Sequence, residues 1–224
     1  MPGLNLAAAT GLLVLAGCAA VAGPAARPAT GWADPGGWDD PPACVVVLPA
    51  AVPPETGLVA VGLEEAVARR LSGRIDLVLG PGRRDALIRR LGLDLGHPVD
   101  RRRFAALSGC RHAAATRAWG GRAWAVMWSE SRVGLDLAIL RLTDGRRLWQ
   151  ARGEGRRGDG GVPLSPLSAA VAAGLAARAA LDETAMASAL DDALRSALRS
   201  LPDFRDPQAF ASRNSRVRPL SSRK

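Results

Sequence analysis

The chain has 224 residues, 48% of them hydrophobic and 23% charged. That balance excludes a low-hydrophobicity disordered polymer and suits one globular domain with tails. Six Trp, three Phe and no Tyr leave Leu, Val and Ala to build the core, and two His with three Cys exclude the His-rich and Cys-rich metal folds.

Part of the formal charge of +9 sits at the C-terminus, where Arg205, Arg213, Arg216, Arg218, Arg223 and Lys224 face only Asp206. The body between residues 18 and 204 is nearly balanced, so the basic tail is an electrostatic feature of its own.

Leu4 to Ala16 reads LNLAAATGLLVLA. It is too short for the roughly 20 residues that cross a bilayer, and it has the length of a secretory signal. The run ends in Leu15-Ala16-Gly17-Cys18, which resembles the lipobox of bacterial lipoproteins: an apolar residue, two small ones, then Cys. The resemblance implies cleavage after Leu15, Ala16 and Gly17 and acylation of Cys18. Ala19 and Ala20 follow, without an Asp that would read as inner-membrane retention, so the expected location is the periplasmic face of the outer membrane. Residues 1–17 are then a signal peptide and 18–43 a Pro- and Gly-rich tether. Trp32 and Trp38, within that tether, are expected to rest at the membrane interface.

Cys44 to Leu48 is a continuous apolar run ended by Pro49, the pattern of a strand buried on both faces. Residues 56–72 read as a helix, with Leu63, Val67 and Leu71 on the core face and Glu64, Glu65, Arg69 and Arg70 elsewhere. A second strand spans 75–79. Pro81 opens a second helix that closes near Gly92, and Asp100 is the expected N-cap of a third, carrying Phe104 and Leu107 and stopped by Gly109.

After Cys110 the period changes to that of strands, over 112–119 and 132–142. Asp144-Gly145 between two strand-like runs predicts a two-residue type I′ hairpin that sets Trp149 opposite Leu140. The Gly/Arg-rich stretch 152–162 reads as a loop. Ser165-Pro166 caps an Ala-rich helical region reaching Leu201, with Met186, Leu190, Leu194 and Leu198 at i+4 spacing and a break near Asp182. Residues 203–224 lack periodicity and are expected to be disordered.

The order β-α-β-α-α-β-β-β-α predicts an α/β (α+β) domain over 44–202. Its mixed sheet of about five strands has a parallel βαβ part, then an antiparallel hairpin, with helices packed on it. With VVVLPA at 45–50, LVLG at 77–80, LSGCRHAAATRAWG at 107–120, VGLDLAILRLTDGRRLWQARGEGR at 133–156 and PLSPLS at 163–168, the chain resembles envelope lipoproteins with the TolB N-terminal or curli-secretion-lipoprotein type of α/β domain. That group includes lipoprotein activators of peptidoglycan synthases. The resemblance implies a non-enzymatic periplasmic adaptor or assembly factor of an envelope complex. The shortness of the chain leaves no room for the curli channel's pore hairpins.

Chemistry-bearing motifs are few. Gly80-Pro81-Gly82-Arg83-Arg84 before a helix reads as a strand-to-helix turn with solvated arginines, an anion site being the alternative. Ser165 and Ser168 with His97 or His112 are the residues a periplasmic hydrolase would have to use; no catalytic residue, metal ligand or cofactor is assigned. Cys44 and Cys110, each just before a strand, are either buried thiols or, in an oxidising compartment, a disulfide. Trp119, Trp124 and Trp128 with Arg122 fall in WGGRAWAVMW and are candidates for a partner interface, the alternative being core. The partners read from the sequence are a membrane through the N-terminal lipid, an envelope protein and a second copy of the chain, with peptidoglycan as an alternative ligand. Nucleic acid is not among them.

Overall fold

The computed structural model describes residues 30–33, 38, 40–125, 128–160, 165–181 and 183–206. The signal peptide, Cys18, most of the tether and the tail beyond 206 lie outside them. The elements are β1 (Thr30–Ala33), β2 (Cys44–Val47), α1 (Ala60–Leu71), β3 (Leu77–Leu79), α2 (Pro81–Leu91), α3 (Pro98–Ser108), β4 (His112–Ala125), β5 (Trp128–Arg141), β6 (Arg147–Gly160), α4 (Pro166–Leu181) and α5 (Glu183–Leu198). They form a mixed α/β fold on one six-stranded sheet of order β1-β6-β5-β4-β2-β3.

β2 pairs in parallel with both β3 and β4, while β4-β5-β6 form an antiparallel meander. Val45, Val46 and Val47 are fully buried because β2 has helices on both sides. Val45 and Val47 join Leu63, Val67 and Leu71 of α1 and Leu194 and Leu198 of α5 in the larger core, and Val46 joins Phe104 and Ala105 of α3 in the smaller one. The α5 stripe lies as its spacing predicts, with Met186, Leu194 and Leu198 buried and Leu190 half-buried.

Several features depart from the sequence reading. The sheet has a sixth strand, β1, inside the expected tether; Thr30 to Ala33 pair antiparallel with Arg152 to Trp149. Trp38 is buried with its ring centroid 4.8 Å from that of Phe204, rather than at a membrane interface. Phe204 itself is fixed by a backbone N–H donated to the Arg74 carbonyl at 2.9 Å, so order continues past 203. Residues 54–56 form a short 3₁₀ turn and α1 begins only at Ala60. α3 starts at Pro98 with His97 as its N-cap, and Asp100 instead accepts the Asp94 backbone N–H at 3.0 Å.

The 141–147 turn is also different. Gly145 has φ +73° and, among the described residues, no non-glycine residue has positive φ, which excludes type I′. A longer turn forms: the Gly145 N–H donates to the Arg141 carbonyl at 2.8 Å, and the Asp144 carboxylate accepts the Arg146 N–H at 2.9 Å. The longer turn shifts the register, placing Trp149 opposite Ile139 and Arg147 opposite Leu140, with an irregularity between Ile139 and Leu140.

The stretch expected as a loop, 152–160, is the outer half of β6. Its glycines alternate with charged residues for a packing reason. A Cβ on Gly153 would overlap the Ala193 carbonyl, and one on Gly155 the Ala189 carbonyl. Only glycine lets α5 lie this close to the strand. Asp182, where a helix break is expected, lies between α4 and α5 and outside the described residues.

Candidate functional site

Three places gather functional side chains. The first is a cleft of about 1020 Å³ between the 54–59 segment, α1 and α5, floored by Leu58, Leu63, Ala66, Met186 and Leu190. Glu55, Arg69, Arg70, Arg122 and Asp191 form its rim. Arg70 bridges the two helices by donating to Asp191, its Nε at 3.1 Å. That hydrogen bond holds the Asp191 carboxyl below its ordinary value against some desolvation, with Arg195 adding to it. The cleft therefore offers an apolar floor and fixed charges at its edge, which suits a side chain or short segment of a partner.

The second place is the opposite face of the sheet where β1, β6, β5 and β4 meet, a shallow hollow of about 560 Å³. Ala115 and Ala138 form its floor and Trp32, Arg117, Arg147 and Arg152 its sides. Strand alternation produces this set: Trp32 is opposite Gln150, and Arg117 and Arg152 are both opposite Asp136. Arg152 holds Asp136 at 2.7 and 3.2 Å through Nε and Nη2, and its guanidinium carbon lies 5.5 Å from the Trp119 ring centroid. Trp32 is 47% exposed.

The third is the junction of Cys44, Cys110 and His112 at the start of β2 and β4. The structure pairs Cys44 with Cys110, Cα atoms 5.0 Å apart across a separation of 66 residues. Val45 sits opposite His112. His112 is buried, and its Nε2 has no hydrogen-bond partner among the described residues. Burial pushes the imidazole below its ordinary value of 6.5, opposed by Asp40 and reinforced by Arg141 and Arg111.

The sequence-derived interface candidates do not make one patch. Arg122 is exposed at the cleft. Trp119 is half-buried on the other face, its ring over Gly134, with Nε1 enclosed. Trp124 and Trp128 pair with Ser129 and Ala125 at the far end of the β4-β5 hairpin; their side chains lie outside the described residues. Ser165 and Ser168 cap α4 reciprocally, each backbone N–H donating to the other's hydroxyl at 2.8 and 3.1 Å. His112 opens β4, whereas α4 follows the opposite end of the meander, so that serine–histidine pairing is not assembled. Among the described residues no group of three or more His, Cys, Asp or Glu gathers to hold a metal ion.

Sequence reasoning missed the pair at the end of β2. Glu64 and Arg84, expected at the surface, are buried and bonded at 2.7 Å. Glu64 also accepts the Ala50 N–H at 2.9 Å, and Arg84 donates to the Val47 carbonyl at 2.9 Å. Arg84 of GPGRR thus anchors the end of β2 instead of lying solvated, while Arg83 is exposed. A charged residue on the same helix stripe as Leu63 and Val67 was the available signal.

No family model and no curated protein matches the chain. Among solved structures it is similar to the lipoprotein GNA1162 from Neisseria meningitidis, at 18% identity and TM-score 0.43 over 63% of this chain and 100% of that one. It is also similar to the PelC dodecamer from Paraburkholderia phytofirmans, at 21% identity and TM-score 0.40 over 73% and 96%. A third is the LpoB C-terminal domain from Salmonella enterica, at 17% identity and TM-score 0.35 over 50% and 80%.

Proposed function

We propose that this chain is a lipid-anchored protein on the periplasmic face of the outer membrane, a non-enzymatic adaptor or assembly factor for an envelope complex of the kind its resemblance to TolB N-terminal and curli-type lipoproteins implies. The observation that carries this reading is Leu15-Ala16-Gly17-Cys18 at the end of an apolar run of signal-peptide length. Each buried CH₂ of an acyl chain adds about 0.8 kcal/mol of membrane affinity, so the three acyl chains of a lipoprotein at Cys18 hold it far more firmly than one would. The pairing of Cys44 with Cys110 fits an oxidising compartment. The cleft between α1 and α5, with Arg122 at its rim, supplies a surface for a protein partner.

The test has two parts. Intact mass of the native protein must show a chain beginning at an acylated Cys18. In-cell crosslinking, wild type against Cys18→Ala, must then show partners that depend on that residue. An unmodified Cys18 with the leader retained overturns the reading.

A further inference from the structure

We infer that the hollow formed by Trp32, Arg117, Arg147 and Arg152 is the face on which the domain rests against an anionic phospholipid surface. The inference rests on the lipid-anchor reading above, because the anchor is what brings the domain to a bilayer. Twelve residue steps separate Cys18 from Thr30, the first residue of β1. At the covalent limit they reach about 40 Å, roughly the diameter of a domain of this size. The chain therefore enters the fold within one domain diameter of the lipid, and it enters beside Arg152, to which Thr30 is paired.

The chemistry at that entry point suits a membrane surface. Three arginines and one carboxylate, Asp136, line the hollow; Arg152 pairs with Asp136, and Arg147 donates to the Gln150 side chain at 2.7 Å. Arg117 and Arg147 are exposed, and arginines near an anionic surface draw a protein to it within about a Debye length. Trp32, one residue beyond Gly31 and 47% exposed, belongs to the residue type that favours the headgroup region. Ala115 and Ala138 give the hollow an unobstructed floor. The α1–α5 cleft lies on the other face of the sheet, so this orientation leaves it open to the periplasm.

The experiment reconstitutes the native lipidated protein into vesicles of phosphatidylcholine alone or with 30% phosphatidylglycerol. Half of each set carries brominated lipid, which quenches tryptophan fluorescence at the headgroup boundary. Quenching in phosphatidylglycerol vesicles should exceed that in phosphatidylcholine, and the excess should disappear in Trp32→Phe. Arg117→Glu/Arg147→Glu should abolish the excess, since each arginine near the surface contributes to the attraction; 0.5 M salt should suppress it, and Arg117→Lys/Arg147→Lys should keep it. Folding of each variant is read from its thermal transition, and these exposed positions should leave it unchanged. Quenching that ignores Trp32, or that persists after the double charge reversal, overturns the inference while leaving the anchor standing. Failure of the protein to float with vesicles of either composition overturns both.

Discussion

The Glu64 carboxylate and the Arg84 guanidinium meet at 2.7 Å with both side chains buried, joining α1 to α2 across the end of β2. Each also bonds to backbone at the end of β2 or just after it, Arg84 to the Val47 carbonyl and Glu64 to the Ala50 N–H. Arg84 also pairs with Asp85, whereas Glu64 has no second cation among the described residues, so removing Arg84 leaves the Glu64 carboxylate charged and unpaired in the interior, which costs about 3–5 kcal/mol. Arg84→Met should therefore lower the denaturant midpoint sharply, and the double variant Glu64→Gln/Arg84→Met should recover part of the loss. Equilibrium urea unfolding of the three proteins decides this; an unchanged midpoint for Arg84→Met would show that the pair contributes nothing.

Close contact of β6 with α5 makes a second prediction. Gly155 lies against the Ala189 carbonyl with no room for a methyl group. Gly155→Ala should push the helix outward and cost about 3 kcal/mol, at the upper end of overpacking penalties. Gly174→Ala is the control, because nothing lies near the Cβ it would add. Thermal denaturation should separate the two variants by several degrees.

Pairing of Cys44 with Cys110 closes a loop of 66 residues. On the chain-entropy account a loop of that size stabilises by about 4 kcal/mol, an upper figure because engineered and native bridges often give less. Thiol titration of denatured, unreduced mature protein with Cys18 acylated should find no free thiol, and Cys110→Ser should expose one. Reductant should lower the thermal midpoint of wild type and leave that of Cys44→Ser/Cys110→Ser unchanged.

Buried His112 gives a pH dependence of known sign. Its folded-state affinity for protons is depressed, chiefly by desolvation, so in mildly acid solution the unfolded chain binds more protons than the native one. Stability should be full above the ordinary value of 6.5, fall as pH drops through it, and level off below the depressed native value. His112→Asn should flatten the curve of urea midpoint against pH between 7.5 and 5.5. An equal slope in both proteins would assign the acid sensitivity to other groups.

The parallel half of the sheet was readable because its signals are local. Val45 to Val47 form an unbroken apolar run, Leu63, Val67 and Leu71 recur at helical spacing, and Pro81 and Gly92 bracket α2. What escaped depends on residues distant in sequence. Gly153 and Gly155 look like a loop until α5 is placed on them. Thr30 to Ala33 are too few to announce a strand, and only the free edge of β6 recruits them. Glu64 and Arg84 each look solvated on their own helix, since the pair exists only when two elements fold over β2. The site divides the same way: Cys44 and Cys110 were evident as candidates, whereas the arginine hollow required the β4-β5-β6 register.

The Cys44–Cys110 pair also decides how mechanical load passes through the molecule. Everything from α1 to α3 hangs inside one covalent ring, entered at β2 and left just before β4. Tension on the N-terminal tether would pass from β1 and Trp38 to Cys44 and cross directly to Cys110. The enclosed helices would be bypassed and the meander would bear the strain, so a stretched molecule should yield first by peeling β1 from β6.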